Sequence, residues 1–335
     1  MSRVPAVDVA TGGPVTLEQH LRALPADEAR SLEHVLLHIA GAGQRIAVEL
    51  ARAALVGQLG TTGETNVQGE TVKKLDVWSN DVMVDALTAS GFVCTMVSEE
   101  MTDPLHVDAR CERGRYAVCF DPVDGSSNLD INGIVGTIFS VRRRTPGSEH
   151  VKADAVSAGT TQVASGYIMY GPATGLVLTT GAGVDAFALD TVNGLFTRFK
   201  TEIRIPASGK IYSINEANAL KWEPGVREFI DHLRNGGTGR TYTARYVGSL
   251  VADFHRTLLE GGVFLYPAEK KTSGKLRLQY ECAPMAFIAE QAGGVATTGR
   301  ASVMNVQPAS CHERVPLIIG SPEDVRLAED FIRRG

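Results

Sequence analysis

The sequence predicts a mixed α/β (α+β) protein. Helical and strand-like apolar periodicities alternate along the whole chain, and no internal repeat or low-complexity tract interrupts them. Several short apolar strands run directly into acidic or basic loops, where layered α/β proteins usually carry their chemistry. Residues 1–15, rich in Pro, Gly and Thr, read as a mobile tail. Leu32, Val35, Leu36, Ile39, Ile46 and Leu50 recur at helical spacing and predict a helix over 31–55. A Gly/Thr-rich loop at 57–69 and a second helix at 76–87 follow. A strand at 92–97 leads into Ser98-Glu99-Glu100, and one at 116–120 leads into Asp121-Pro122-Val123-Asp124-Gly125. A third at 263–266 leads into a basic cluster of Lys270, Lys271, Lys275 and Arg277. Further strands are expected at 136–142, 164–170, 176–180 and 186–189. Pro206 and Gly209 lie in a mixed-charge stretch, so a lobe boundary is placed near 200, giving lobes 16–200 and 201–335. Helices are read at 245–260 and 284–292, then a strand at 317–319. A last helix follows, capped by Ser321 with Pro322 in its first position.

The 335 residues suit two packed lobes. Apolar residues at 44% and charged residues at 21% fit a globular protein with a sizeable core. No apolar run reaches the roughly 20 residues of a membrane helix, and the first ten residues hold no apolar signal core. A cytoplasmic protein is expected. A net charge of −5 argues against a nucleic-acid binder, while the local basic cluster leaves anionic substrates open. The five cysteines are scattered and form no CxxC pair. This argues against a disulfide framework and a zinc site, and reduced thiols are expected.

Carboxylates are in surplus beside strand ends: Glu70, Asp76, Glu99, Glu100, Asp121, Asp124 and Glu281. Magnesium takes oxygen ligands, binds through few carboxylates and is completed by phosphate oxygens. Acidic loop residues alone are usually just solvated. The string DPVDGSS adds Gly125 for close backbone approach, and Ser126, Ser127 and Asn128 to open a helix whose free N–H groups can receive phosphate.

FDPVDGSSNLD (120–130) resembles the metal motif of class I fructose-1,6-bisphosphatases, and more distantly that of the inositol-phosphatase superfamily. NVQGETVKKLD (66–76), VSEE (97–100), GTIFSVRR (136–143), KIYSINEAN (210–218), ARYVGSLVADFHRTLLEGGVFLYP (244–267), GKLRLQYECAPMAFIAEQAGG (274–294) and IIGSPEDV (318–325) match the narrower family in order, in its bacterial branch. The resemblance implies a layered α/β/α/β/α fold of two lobes and magnesium-dependent removal of the 1-phosphate. Two or three ions per subunit are implied, with manganese an acceptable substitute. Glu99 and Asp121 would bridge ions, Asp124, Glu281 and the Val123 carbonyl would complete their shells, and Glu70 would help hold a third. Asp76 and Glu100 resemble the pair that deprotonates the attacking water. Gly125, Ser126 and Ser127 would cradle phosphate. Asn215, Tyr246 and Tyr266 resemble the 6-phosphate residues, Lys275 the sugar-contacting lysine, and Arg245 an arginine reaching a neighbouring subunit's site. A homo-oligomer, usually a tetramer, is therefore implied.

The resemblance also admits sedoheptulose-1,7-bisphosphatase activity, alone or alongside, since one carbon is discriminated by only about 1–3 kcal/mol where contacts are weak. A non-catalytic sugar-phosphate sensor would be expected to lose a carboxylate of the set, and all seven are present. The chain departs from the family at the AMP site. A T-G-E-L-T string that binds the AMP phosphate falls at Ala29-Arg30-Ser31-Leu32-Glu33, without its threonines and glycine and with Glu33 adding negative charge. Arg115, Tyr116 and Arg143 keep the other half of that pocket. No plastid-type cysteine insertion is evident, so no thiol switch is expected. AMP inhibition is predicted to be weak or absent; half-inhibition of phosphate release at low micromolar AMP would contradict this.

Overall fold

A computed structural model describes residues 14–24, 26–65, 71–107, 115–144, 154–269 and 274–335. Among these, the helices are α1 (Leu17–Arg22), α2 (Ala26–Arg52), α3 (Lys74–Ser90), α4 (Pro224–Arg234), α5 (Leu250–Glu260), α6 (Ala283–Gln291) and α7 (Pro322–Arg334). The first large sheet has eight strands. In chain order they are β3 (Val93–Ser98), β4 (Leu105–His106), β5 (Tyr116–Asp124), β6 (Val135–Arg143), β7 (Gln162–Tyr170), β8 (Thr174–Thr179), β9 (Asp185–Asp190) and β10 (Leu195–Lys200). They lie side by side as β10-β9-β8-β7-β6-β5-β3-β4, antiparallel throughout except for the parallel pair β3–β5. The second sheet orders β12 (Thr243–Ala244), β11 (Ile211–Ser213), β13 (Val263–Tyr266), β17 (Leu317–Gly320) and β15 (Val295–Thr297). Two small ladders complete the set: β1 (Thr61–Thr65) with β2 (Thr71–Lys73), and β14 (Leu276–Arg277) with β16 (Arg314–Val315).

Side-chain alternation divides the core into layers. Phe139 and Ile168 face one side of the eight-stranded sheet and pack with Leu36, Ile39 and Met83 of α2 and α3. Their neighbours Ile138 and Tyr167 face the other side and pack with Val251 and Phe254 of α5 and Ile288 of α6. The same middle layer contacts Phe264 and Ile319 of the second sheet. On that sheet's far face, Val263 and Ile318 meet Phe229 of α4 and Val325 of α7. The stack is α/β/α/β/α, as expected.

Several local expectations are corrected. The helix read at 245–260 begins only at Leu250, because Ser249 is its N-cap and its side chain accepts from Ala252 N. Ser321 precedes α7 but does not cap it with its hydroxyl; its Oγ accepts instead from Gly262 N, 2.9 Å away. Part of the expected 57–69 loop is strand β1, and residues 66–70 lie outside the described set. Strand β10, α4 and β11 were not expected, although α4 carries a clear helical period in Val226, Phe229, Ile230 and Leu233 behind Pro224. Cys94 is disulfide-bonded, with its partner outside the described residues, whereas Cys119, Cys282 and Cys311 are free, so the thiols are not all reduced. Of the tail, residues 1–13 lie outside the described set, and Val15 already accepts a hydrogen bond from Arg198 N. Among the described residues no helix is long and apolar enough to cross a membrane.

Asp324 ties the second lobe together. It is fully buried at the start of α7, and it accepts from Gly209 N at 2.8 Å, Arg240 Nη2 at 3.0 Å and Tyr242 OH at 2.6 Å. Asp324→Ala is expected to destabilise the fold by about 3 kcal/mol, near the lower end for removing one partner of a buried pair. The lower end applies because the Arg240 side chain keeps 29% exposure. A urea or thermal melt reads this directly, and a loss under about 1 kcal/mol, the scale of a surface pair, would contradict it.

Candidate active site

The acidic site begins with an irregularity in β5. Residues three apart on a regular strand face opposite sides of a sheet. Here Asp121 pairs with Ile138 and Asp124 with Gly136, so three steps on β5 meet two on β6. This bulge rotates the strand and brings both carboxylates to one side. The sequence ends this strand at 120, before Asp121-Pro122-Val123-Asp124; the structure carries it on to Asp124 through the bulge. Asp121 Oδ1 accepts from Val123 N at 3.0 Å, and Thr137 Oγ1 donates to Pro122 O at 2.7 Å, fixing the bulge from within.

Asp124 is also bound by the second lobe. Its carboxylate accepts from Ser249 Oγ at 2.7 Å, Val251 N at 2.9 Å and Leu250 N at 3.3 Å, so it sits on the free N–H groups of α5. Glu281 comes from a π-turn, Leu278–Cys282, that precedes α6. Its Oε2 accepts from Arg277 N at 2.6 Å. Oxygens of Asp121, Asp124 and Glu281 all lie within 4.8 Å of one another, and all three residues are buried. Glu99, also buried, follows β3 directly and interacts with Asp121 and Asp124.

Burial pushes the carboxyls of Asp121, Asp124 and Glu281 up, and repulsion from neighbouring carboxylates adds to it. Asp121 rises well above the ordinary range, first through burial and then through the charges of Glu99, Asp124 and Glu281. Burial is the largest cause for Asp124 and Glu281 too, lifting them to about 6 and about 8 against hydrogen bonds that lower them. Arg277, hidden among them, offsets part of this charge: Nη2 is 2.7 Å from Glu99 and Nη1 is 3.7 Å from Glu281. All-oxygen donors, close convergence and a deficit of positive charge fit a hard divalent cation.

Asp76 lies in the first turn of α3, where its Oδ2 accepts from Lys73 N at 3.0 Å as an N-terminal cap. Its Oδ1 is buried without a hydrogen bond. Burial, with the Glu99 charge, lifts its pKa to about 7. Gly125 adopts a left-handed φ of 76° and leads into a short 3-10 helix, Ser126–Ile131. A Cβ on Gly125 would lie 2.7 Å from Ser249 Cβ, so only glycine fits both the conformation and the packing.

One cleft of about 860 Å³ gathers Asp76, Glu99, Glu100, Asp121, Val123, Asp124, Gly125, Ser126, Ser127, Asn215, Tyr246, Tyr266, Lys275 and Glu281. The Lys275 ammonium lies 5.8 Å from the centre of the Tyr266 ring. Glu70, Lys270 and Lys271 lie outside the described residues. Arg245 does not line the cleft; it is exposed and donates to Ala244 O at 3.0 Å. Arg277, Ser249 and Lys73 line it without having been assigned a site role. The Arg277–Glu281 spacing of four residues, at the mouth of a helix, was the readable signal for the first; the other two had none. Arg115, Tyr116 and Arg143 lie at the opposite end of β5 and β6 from the carboxylates. Tyr116 is buried there, its OH 3.1 Å from Ser31 Oγ, and Glu33 pairs with Arg22 at 3.4 Å.

Residues 13–201 match the model for the fructose-1,6-bisphosphatase N-terminal domain, and 205–333 match that for its C-terminal domain. The chain belongs to the fructose-1,6-bisphosphatase family. It is 48% identical over 321 residues to the class 1 fructose-1,6-bisphosphatase of Trichormus variabilis, covering 95% of this chain and 90% of that one. It is likewise 48% identical over 327 residues to that of Thermosynechococcus vestitus, covering 96% and 93%. The solved holo form of Leishmania major fructose-1,6-bisphosphatase superposes with a TM-score of 0.91 at 40% identity, over 96% of this chain and 100% of that one.

The raised carboxyl pKa values give a pH signature. Between the unfolded value of 3.8 for Asp and the folded values of about 6 and about 7 for Asp124 and Asp76, the folded state holds more protons than the unfolded. Their linkage to folding is therefore unfavourable as pH rises through that window. In chelator, the melting temperature is expected to fall between about pH 4 and pH 7, and the stabilisation by added magnesium to grow over the same range. A chelated protein whose melting temperature rises across that window would contradict this.

Proposed function

We propose that the protein hydrolyses fructose 1,6-bisphosphate at the 1-phosphate, releasing fructose 6-phosphate and phosphate with magnesium as cofactor. The observation that carries this is the single cleft joining a buried carboxylate nest, a Gly125–Ser127 phosphate cradle and a polar sugar-side wall of Asn215, Tyr246, Tyr266 and Lys275. Magnesium ions, two or three per subunit with manganese as a substitute, would be held by Glu99, Asp121, Asp124, Glu281 and the Val123 carbonyl, and by Glu70 for the third. When bound, they would neutralise phosphate charge and the departing alkoxide. Asp76 and Glu100 take the proton of the attacking water, a role suited to the unbonded Asp76 Oδ1 and its pKa of about 7. The water oxygen joins phosphorus as the bond to the sugar oxygen breaks in line. Gly125, Ser126 and Ser127 orient the 1-phosphate under attack. Asn215, Tyr246 and Tyr266 hold the distant phosphate, and Lys275 orients the sugar.

Arg245 acts across a subunit boundary, reaching the 6-phosphate in a neighbour. Its exposure and its place outside its own cleft support this, as do Val247 beside it and the exposed Leu55 and Val192 elsewhere. The assembly is a homo-oligomer, taken as a tetramer. The functional division is a metal-carrying lobe, 16–200, and a substrate lobe, 201–335; the first sheet ends at Lys200 and the second begins at Ile211.

Phosphate release from fructose 1,6-bisphosphate should require magnesium and stop in chelator; no release from folded, magnesium-loaded protein would refute the assignment. Asp76→Asn and Glu100→Gln should each lower kcat by about 10²–10⁴, with KM little changed and metal binding retained. A KM effect without a kcat effect would remove them from proton transfer.

A further inference from the structure

Glu99 and Glu281 must keep a fixed separation for one ion to be held between their segments, yet they arrive from distant parts of the chain. Glu99 follows β3, and Glu281 lies in the π-turn before α6. Behind the carboxylates, the side chain of His312 bonds to both segments. Its Nε2 lies 3.1 Å from the carbonyl of Thr102, three residues beyond Glu99. Its Nδ1 lies 2.9 Å from the hydroxyl of Tyr280, the residue before Glu281. A carbonyl only accepts, so Nε2 carries the proton, and Nδ1 accepts from the phenol. One neutral tautomer satisfies both bonds.

Its surroundings hold the imidazole in place. Its ring packs edge-on to Tyr280, with centroids 5.9 Å apart and planes at 69°. Tyr280 is fully buried and packs with Val97 of β3 and Cys119 of β5. On the other side, Leu278 N donates to Glu313 O at 2.8 Å, and Arg277 pairs with Arg314 in the β14–β16 ladder, anchoring the chain next to His312. The imidazole is thus a rigid spacer between two ligand-bearing segments that share no strand pairing.

We propose that His312, through Tyr280 and Thr102, is a positioning residue that sets the spacing of Glu99 and Glu281 and thereby the affinity for the divalent ion. The inference rests on the reading of this nest as a metal site. Outer residues that orient metal ligands are typically worth 10–100-fold in affinity.

The test is manganese binding to the chelator-stripped protein without substrate, followed by electron paramagnetic resonance, for the wild type, His312→Ala, His312→Gln, Tyr280→Phe and the double variant His312→Ala/Tyr280→Phe. His312→Ala should weaken binding about tenfold. The magnesium half-saturation of activity should rise in parallel, while KM for sugar bisphosphate and kcat at saturating magnesium stay unchanged. Glutamine should restore part of the affinity, because its amide oxygen and nitrogen are separated by one carbon, as the ring nitrogens are. Tyr280→Phe should weaken binding by itself, and the double variant should be no worse than His312→Ala alone, since the two act through one bond. A folded His312→Ala protein that binds manganese like the wild type overturns the proposal, as does a loss shared equally by the glutamine variant. Should His312→Ala not fold, Tyr280→Phe with wild-type affinity overturns it as well. A wild-type protein that binds no manganese overturns the metal-site reading itself, and this proposal with it.

Discussion

Crowded negative charge in a dry place governs this structure. Asp121, Asp124 and Glu281 converge within 4.8 Å, with Glu99 beside them, and all are buried. Burying an ionised carboxylate is costly unless it is paired and hydrogen-bonded, and like charges compound the cost. The protein offsets part of it with the Arg277 guanidinium, with the first N–H groups of α5 and with protons retained by raised pKa values. These leave the nest short of positive charge, and a divalent cation is the natural complement.

Holding such a nest open demands that regular secondary structure be broken at chosen places. Asp121 and Asp124 stand on a bulge, Glu281 on a π-turn, Asp76 in the capping turn of α3 and Gly125 in a left-handed bend. Each irregularity aims a side chain that a uniform strand or helix would send elsewhere. The two packed sheets and their helices supply the rigidity that keeps these unfavourable geometries in place. Because Asp124 leaves the first sheet and is bound by the N-terminus of α5, the site and the packing of α5 on that sheet are one structure.

Much of this was legible in the sequence, and the exceptions have physical reasons. The apolar runs 92–97, 116–120 and 263–266 announce strands ending in charged or Pro-containing segments, though the middle one continues as strand to Asp124. The DPVDGSS string locates the cleft, and thirteen of the residues named in advance line it together with the Val123 carbonyl position. The start of α5 was misplaced by five residues because the expected helix ran through Gly248, which is left-handed, and Ser249, which is the N-cap; the backbone before them is claimed by other bonds, among them Val247 N and Gly248 N to Asp253. Ser321 looked like a cap, but its hydroxyl is taken by Gly262 across the sheet. Arg277 read as part of a surface basic cluster and is in fact 4% exposed inside the acidic nest. No local pattern reports such choices, since they depend on partners far away in the chain.

The β5 bulge makes the site a matter of parity. A strand has two faces, and any change of one residue exchanges them. Three steps along β5 from Asp121 to Asp124 against two along β6 convert an odd separation into an even one. Substitutions at Pro122 or Val123 leave that count untouched, whereas loss or gain of a single residue there would turn Asp124 away from Asp121 and toward the opposite layer. Sequence drift in this segment is therefore constrained in length far more strictly than in composition.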